Sequence, residues 1–269
     1  MALVFLKLGG SLITDKRAVA TARTPVIERL AAETAAALAQ RPDLQLVLGH
    51  GSGSFGHVVA RAHRTREGVH TPADWRGFAE TARSAARLNR LVADIYAAAG
   101  VPVWSLPPSA SAWCRDGELT EMAERPLSTA LAHGLAPLVY GDVALDAVRG
   151  GTIVSTEEVF AWLARRLRPQ VVLLAGIVDG VYERDPLLDP QARHVAELTT
   201  HGVARLADGL SGSYATDVTG GMASKVRAMA RLVGEVPGLT VRFFSGEQVG
   251  ALQQVLLEPE VAVGTRLRG

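Results

Sequence analysis

"LQLVLGHGSGSFGH" (44–57) sets an apolar run against nine residues that hold four glycines, two serines and two histidines. A short apolar run bounded by glycine reads as a buried strand. A loop so rich in glycine loses much chain entropy on folding. It is kept where backbone N–H groups must come close to a ligand, most often a phosphate. The competing reading is a surface turn closed by a solvated histidine, and this stretch alone does not separate the two.

The pattern of strand followed by glycine recurs along the chain. "ALVFLKL" (2–8) runs into "GGS" (9–11), and "VPVWSL" (101–106), "APLVYGDVALD" (136–146) and "GTIVS" (151–155) read as further strands. "QVVLLAGIV" (170–178) is apolar on both faces, and "LTVRFF" (239–244) is the last central strand. Between them lie helices. Thr24 caps "TPVIERLAAETAAALAQ" (24–40) with Pro25 in its first turn, and one long helix lies within 73–100 and ends at Gly100. "EEVFAWLARRL" (157–167) and "GGMASKVRAMARLVGEV" (220–236) complete the set. This alternation predicts an α/β fold around a mainly parallel central sheet. No Pro/Ser-rich linker interrupts it, so 1–269 is expected to be a single domain of two lobes, divided near 155/156. Ligands of such sheets bind at the carboxyl ends of the strands. The glycine clusters at 9–11, 51–56, 141–142 and 150–151 fall at those ends.

Composition excludes several classes. With 269 residues and a formal net charge of +1, no global field favours nucleic acid or an acidic membrane. The densest basic spots, "RTREG" (64–68) and "RRLRPQ" (165–170), read as solvated surface. Cys114 is alone, which rules out a disulfide framework or zinc cluster and leaves an inert thiol. "MALVFLKLGG" lacks the features of a signal peptide. No run approaches the roughly 18 apolar residues that span a bilayer. The expected setting is the cytoplasm.

Lys7 lies inside the first strand with "LGGS" directly after it, and burying an unpaired ammonium is costly. A phosphate at the adjacent glycine turn would explain it; an edge-strand lysine reaching solvent is the alternative. Lys16 follows in "SLITDK", and Lys225 closes "DVTGGMASK" (217–225), where Gly220 and Gly221 open a helix. The three lysines suit a clamp for a migrating phosphoryl group, a reaction catalysed by positioning and charge stabilisation. The GxxxxGK[ST] phosphate loop is absent. "GSGSFG" (51–56) fits GxGxxG literally but lacks the acidic residue about 20 positions on, so a dinucleotide site is set aside.

Taken together, "KLGGS", the glycine turn after the second strand, "DGVY" with "DP" behind it, and "DVTGGMxxK" resemble the amino acid kinase superfamily. The resemblance runs to "GTRL" (264–267). "SGSFGH", "KLGGSLITDK" and "YGDV" are similar to the isopentenyl phosphate kinases within it. The resemblance implies a three-layer αβα sandwich, with an N-lobe (about 1–155) for the acceptor and a C-lobe (about 156–269) for ATP. It further implies transfer from ATP to isopentenyl phosphate with Mg²⁺, no dedicated metal ligands, and a homodimer. By position, Lys7, Gly9, Gly10 and Ser11 would line the ATP phosphates, with Lys16 at the transition state and Lys225 at the transferring or β-phosphate. Gly51, Ser52, Gly53 and Gly56 would cradle the acceptor phosphate, with Ser52 also near the nucleotide phosphates. His57 would donate to the acceptor, and Gly141, Asp142, Gly150 and Gly151 would border it. Asp179, Gly180, Tyr182 and Asp185, with Gly220 and Gly221, would hold adenosine and its phosphates.

The chain departs from the family pattern at Ser52, where a glycine is common, at Ile177, and at "STEE" (155–158), which leaves open whether Glu157 replaces the aspartate that orients the lysines. Trp75, Phe78, Ala82, Ala85, Ala86, Leu88 and Val92 are the candidates for an apolar tail slot, against the plainer reading of helix core. His50 is left open, and the remaining histidines read as structural or solvated. Alternatives are a kinase of the same fold for another small phosphate or phosphonate such as fosfomycin, and a non-catalytic nucleotide sensor.

Overall fold

The computed structural model describes residues 2–15, 17–184, 186, 189–203 and 221–269. Its strands are β1 (Ala2–Leu8), β2 (Leu44–His50), β3 (Val103–Ser105), β4 (Trp113–Arg115), β5 (Glu118–Glu121), β6 (Ala136–Tyr140) and β7 (Asp142–Asp146). They continue with β8 (Gly150–Val154), β9 (Val171–Gly176), β10 (Val181–Tyr182), β11 (His194–Val195), β12 (Glu197–Thr199), β13 (Thr240–Ser245) and β14 (Thr265–Arg268). The helices are α1 (Gly10–Ile13), α2 (Thr24–Gln40), α3 (Gly53–Ala62), α4 (Pro72–Ala98), α5 (Arg125–Ala132), α6 (Thr156–Leu167), α7 (Gly221–Glu235) and α8 (Ala251–Leu257).

Eight strands form one sheet in the order β12-β14-β13-β9-β1-β2-β6-β3. Every pairing in it is parallel except β13 with β14. Side chains alternate across the sheet as the pleat requires. Phe5, Val47, Val172 and Val241 pack with Phe160 of α6 and Val226 of α7 on one face. Leu6, Leu48, Leu173 and Phe244 pack with Leu30 of α2, Leu88 of α4 and Leu252 of α8 on the other. Helices cover both faces, which is why the central strands carry no polar face. Lys7 takes the same parity as Phe5 and therefore points to the α6 side.

Two expectations change. The run 136–146 is two strands in different sheets: Gly141 N–H still donates to His50 O (3.2 Å), after which β7 joins a second sheet, β5-β4-β7-β8. The glycine-rich stretch 49–57 is no loop. Gly49 and His50 end β2, Gly51 and Ser52 make the turn, and His57 lies inside α3. Packing beneath α4 holds this glycine-containing helix, with the Ser84 hydroxyl donating to Phe55 O at 2.6 Å.

Candidate active site

One cavity of about 960 Å³ opens at the carboxyl ends of the central strands. Its walls include the turn after β1 (Gly9, Gly10, Ser11), the turn after β2 (Gly51, Ser52, Gly53), the cap of α6 (Ser155, Thr156, Glu157) and the first described turn of α7 (Gly221, Met222). Helix N-termini present unpaired N–H groups and a positive dipole end. Several of them facing one space make it a seat for anions.

The two glycine turns abut backbone to backbone. A Cβ on Gly10 would lie 2.6 Å from Gly53 N, and one on Gly51 would lie 2.9 Å from Gly10 N. No other residue permits that approach, so glycine here is a packing requirement. Thr14 ties the turns together: its hydroxyl donates to Gly10 O (2.7 Å) and accepts from Ser54 N–H (3.0 Å). Gly53 holds φ +48°, a left-handed conformation.

Lys7 is 7 % exposed and forms an ion pair with Glu157, the second residue of α6. Burial alone would push the Glu157 carboxyl up. The charges of Lys7 and then Lys225 outweigh burial and hold it below the usual carboxylate range. Glu157 thus pairs with Lys7 and feels the charge of Lys225, two of the three lysines in the chain. A capping box between Ser155 and Glu158 fixes the turn that carries it.

His57, half-buried, faces the same cavity from the first two turns of α3, with Arg61 one turn further along. Arg66 also lines the wall, gripped by Glu158 (2.7 Å) and Ile153 O (3.2 Å). It is therefore not the solvated surface residue that its neighbours suggested. Gly141 and Asp142 border the same region. Burial pushes the Asp142 carboxyl up, against hydrogen bonds from Ser109, Val143 and Tyr140 that favour its ionised form. The lining also includes Ile177, Val178, Gly180, Tyr182 and Phe244.

Several expected site residues lie elsewhere. Gly150 and Gly151 do not line the cavity: Gly150 turns the chain at φ +74° against Val69 O, and Gly151 lies under the Phe78 ring. Asp179 stands outside the wall and accepts from the Tyr182 hydroxyl at 2.6 Å. Of the candidate tail slot on α4, Ala85 alone reaches the cavity, with Thr81 beside it. Leu88 and Val92 belong to the core, and Trp75 packs edge-on against Phe78. Lys16, Asp185 and Gly220 lie outside the described residues. Sequence reasoning missed Thr14 and Arg66, because each acts through partners far along the chain. One signal was available for the lysines: the chain has three, against twenty-five arginines. Where charge alone is wanted, this chain uses arginine.

Glycine turns in contact, a buried lysine and converging helix N-termini at the mouth of a parallel sheet define a phosphoryl-binding α/β protein. The chain belongs to the amino acid kinase family, whose model matches residues 2–245. It is 34 % identical to the isopentenyl phosphate kinase of Methanothermobacter thermautotrophicus, over 99 % of each chain. It is 36 % identical to that of Haloferax volcanii, over 90 % of this chain and 99 % of the other. A solved isopentenyl phosphate kinase superposes with a TM-score of 0.83 at 30 % identity, covering 98 % of this chain and 99 % of that one.

Proposed function

We propose that this chain is an ATP-dependent kinase that phosphorylates isopentenyl phosphate to the diphosphate. The observation that carries the reading is the contact between the turns at Gly10 and Gly51–Gly53. Two phosphate seats built back to back, within one cavity, suit direct transfer between two phosphates and leave no room for a spacer. The kinship to isopentenyl phosphate kinases supports the choice of acceptor.

ATP would lie with its phosphates over Gly9, Gly10 and Ser11 and its adenosine toward Gly180 and Tyr182. Lys7, held by Glu157, and Lys225 neutralise the charge that builds on the moving group. The acceptor phosphate sits at Gly51, Ser52, Gly53 and Gly56. His57 donates to it, and a dianion beside the ring favours the protonated imidazolium. The acceptor's apolar tail runs along Ala60, Ala85 and Ile153.

Mg²⁺ belongs to this reading as a companion of the triphosphate, where it would neutralise phosphate charge. The residues do not form a cage for it. Of the cavity carboxylates, Glu157 is engaged by Lys7, and both oxygens of Asp142 accept backbone N–H groups. No cluster of three ligating side chains occurs among the described residues. A homodimer, and a place in isoprenoid synthesis of the mevalonate type, complete the reading. No helix among the described residues is long and apolar enough to cross a membrane.

Arg61, Arg66 and Thr81 on the acceptor wall favour one second reading, a more polar phosphate or phosphonate acceptor such as fosfomycin. A coupled ADP-release assay with isopentenyl phosphate, dimethylallyl phosphate and fosfomycin separates them. The proposal expects the two prenyl phosphates to be turned over and fosfomycin not; the reverse order overturns it.

A further inference from the structure

His50, the last residue of β2, is fully buried. Its backbone oxygen accepts from Gly141 N–H and from the Thr156 hydroxyl at 2.6 Å. The ring lies parallel to Tyr140, centroids 5.4 Å apart. Its Nδ1 is 3.1 Å from Gly51 O, and its Nε2 is 3.2 Å from Asn89 Oδ1. Burial is the main reason its pKa falls to about 4, with the charge of Lys7 adding to the drop and the two hydrogen bonds opposing it. The ring is therefore neutral near pH 7 and has one proton for two contacts.

The chemistry of the partners assigns that proton. A carbonyl oxygen can only accept, whereas an amide can present either end. The proton sits on Nδ1, facing Gly51 O. The structure places Asn89 Oδ1 at Nε2 and its NH₂ at the Ser105 hydroxyl; this tautomer requires the two ends of the amide to exchange, so that the NH₂ donates to Nε2 and Oδ1 accepts from Ser105.

This bond has a consequence at the cavity. No peptide bond among the described residues is cis, and in a planar trans peptide the C=O and the following N–H point in opposite directions. With Gly51 O drawn inward to the ring, the N–H of Ser52 is directed away from it, on a residue that lines the cavity. The Gly51 N–H is already committed to Leu8 O at 3.0 Å.

We propose that His50 is a positioning residue: its Nδ1–H fixes the Gly51–Ser52 peptide so that the Ser52 N–H is presented to the acceptor phosphate. The inference rests on the reading that 51–53 seats that phosphate. His50 touches no substrate and acts from behind, while His57 acts from the front.

The test uses two substitutions with opposite geometry. His50→Asn places an amide N–H near the position of Nδ1 and keeps the donor to Gly51 O. His50→Gln places it near Nε2 and loses that donor. A hydrogen bond to a charged group is worth about 1.5–3 kcal/mol, so His50→Gln is expected to raise the KM for isopentenyl phosphate roughly tenfold or more. His50→Asn should stay within about threefold, and the KM for ATP within about twofold in both, as expected when one weakened contact serves only the acceptor. Equal impairment of the two variants, an unchanged acceptor KM in His50→Gln, or a matching rise for ATP overturns the proposal. Imidazole ¹⁵N and ¹³C shifts of the ligand-free wild type give a second readout that needs no variant to fold. The Nδ1–H tautomer is expected, and Nε2–H overturns the assignment. Failure of the functional reading looks different: a wild type that does not turn over isopentenyl phosphate, whatever its tautomer.

Discussion

Replacing Glu157 by Gln removes the anion that pairs with Lys7 and feels the charge of Lys225, while keeping the side chain's shape. The side chains of Lys7 and Glu157 are only 9 % and 11 % exposed, so solvent screens the pair weakly. Deleting one partner of a buried pair costs about 3–5 kcal/mol, because the other charge is left uncompensated. The pair borders an open cavity, which favours the lower end, about 3 kcal/mol. For a chain of this length that is a fall of about 6–9 °C in Tm. Nucleotide should reverse part of the loss, since a triphosphate brings its own negative charge to the two lysines. Thermal melts with and without a non-hydrolysable ATP analogue are the assay. The shift on adding nucleotide should be larger in Glu157→Gln than in the wild type. Turnover should fall by about a hundredfold, as Lys7, no longer held by a carboxylate, loses its alignment. A variant that melts within 1 °C of the wild type, or whose nucleotide shift equals the wild-type shift, would show that Glu157 does not compensate a buried charge.

Three further expectations can be checked alongside it. The folded state holds the His50 ring unprotonated down to a pKa of about 4, against 6.5 for the ordinary ring, so the unfolded chain takes up the proton first. Stability from this residue is complete above pH 6.5 and should decline by about 3 kcal/mol on acidification to pH 4; denaturant titrations across that range should show the slope in the wild type and lose it in His50→Asn. His57→Ala should lower kcat/KM for isopentenyl phosphate about a hundredfold while the KM for ATP stays within about twofold, since a charge-assisted bond to the acceptor alone is removed; equal losses for both substrates would contradict its place. Gly53→Ala forces a left-handed conformation on alanine and drives its Cβ into Thr14 Oγ1. It should cost about 3 kcal/mol in a denaturant melt, and a loss under 0.5 kcal/mol would remove the argument for abutting turns.

How much of this could be read from sequence follows from the kind of interaction involved. β1, β2 and β9 are short apolar runs closed by glycine, and α2 carries Pro25 at its start, so local chemistry alone marks them. The segment 107–135 carries no such signal. β4 is three residues with only Cys114 buried, and its partner β7 lies some thirty residues away. α3 was hidden for the opposite reason: glycine suppresses helix propensity, and only packing under α4 and contact with the β1 turn hold Gly53 and Gly56 in a helix. The lysines stood out because a buried ammonium must have an anion nearby. Lys7 finds one in Glu157, the residue in "STEE" that departs from the family pattern. The role of Arg66 could not be seen, because its grip on Glu158 and Ile153 O joins positions about ninety residues apart.

On this reading the two glycine turns hold two phosphates end to end for direct transfer. Binding of adenosine tetraphosphate esterified with isopentenol, a single molecule spanning both seats, tests it most directly. Competition against both ATP and isopentenyl phosphate is expected, with an affinity at least a hundredfold above that of either alone, roughly the gain expected when two sites are joined at the right span. Competition against only one of the two, or affinity no better than ATP, would contradict it.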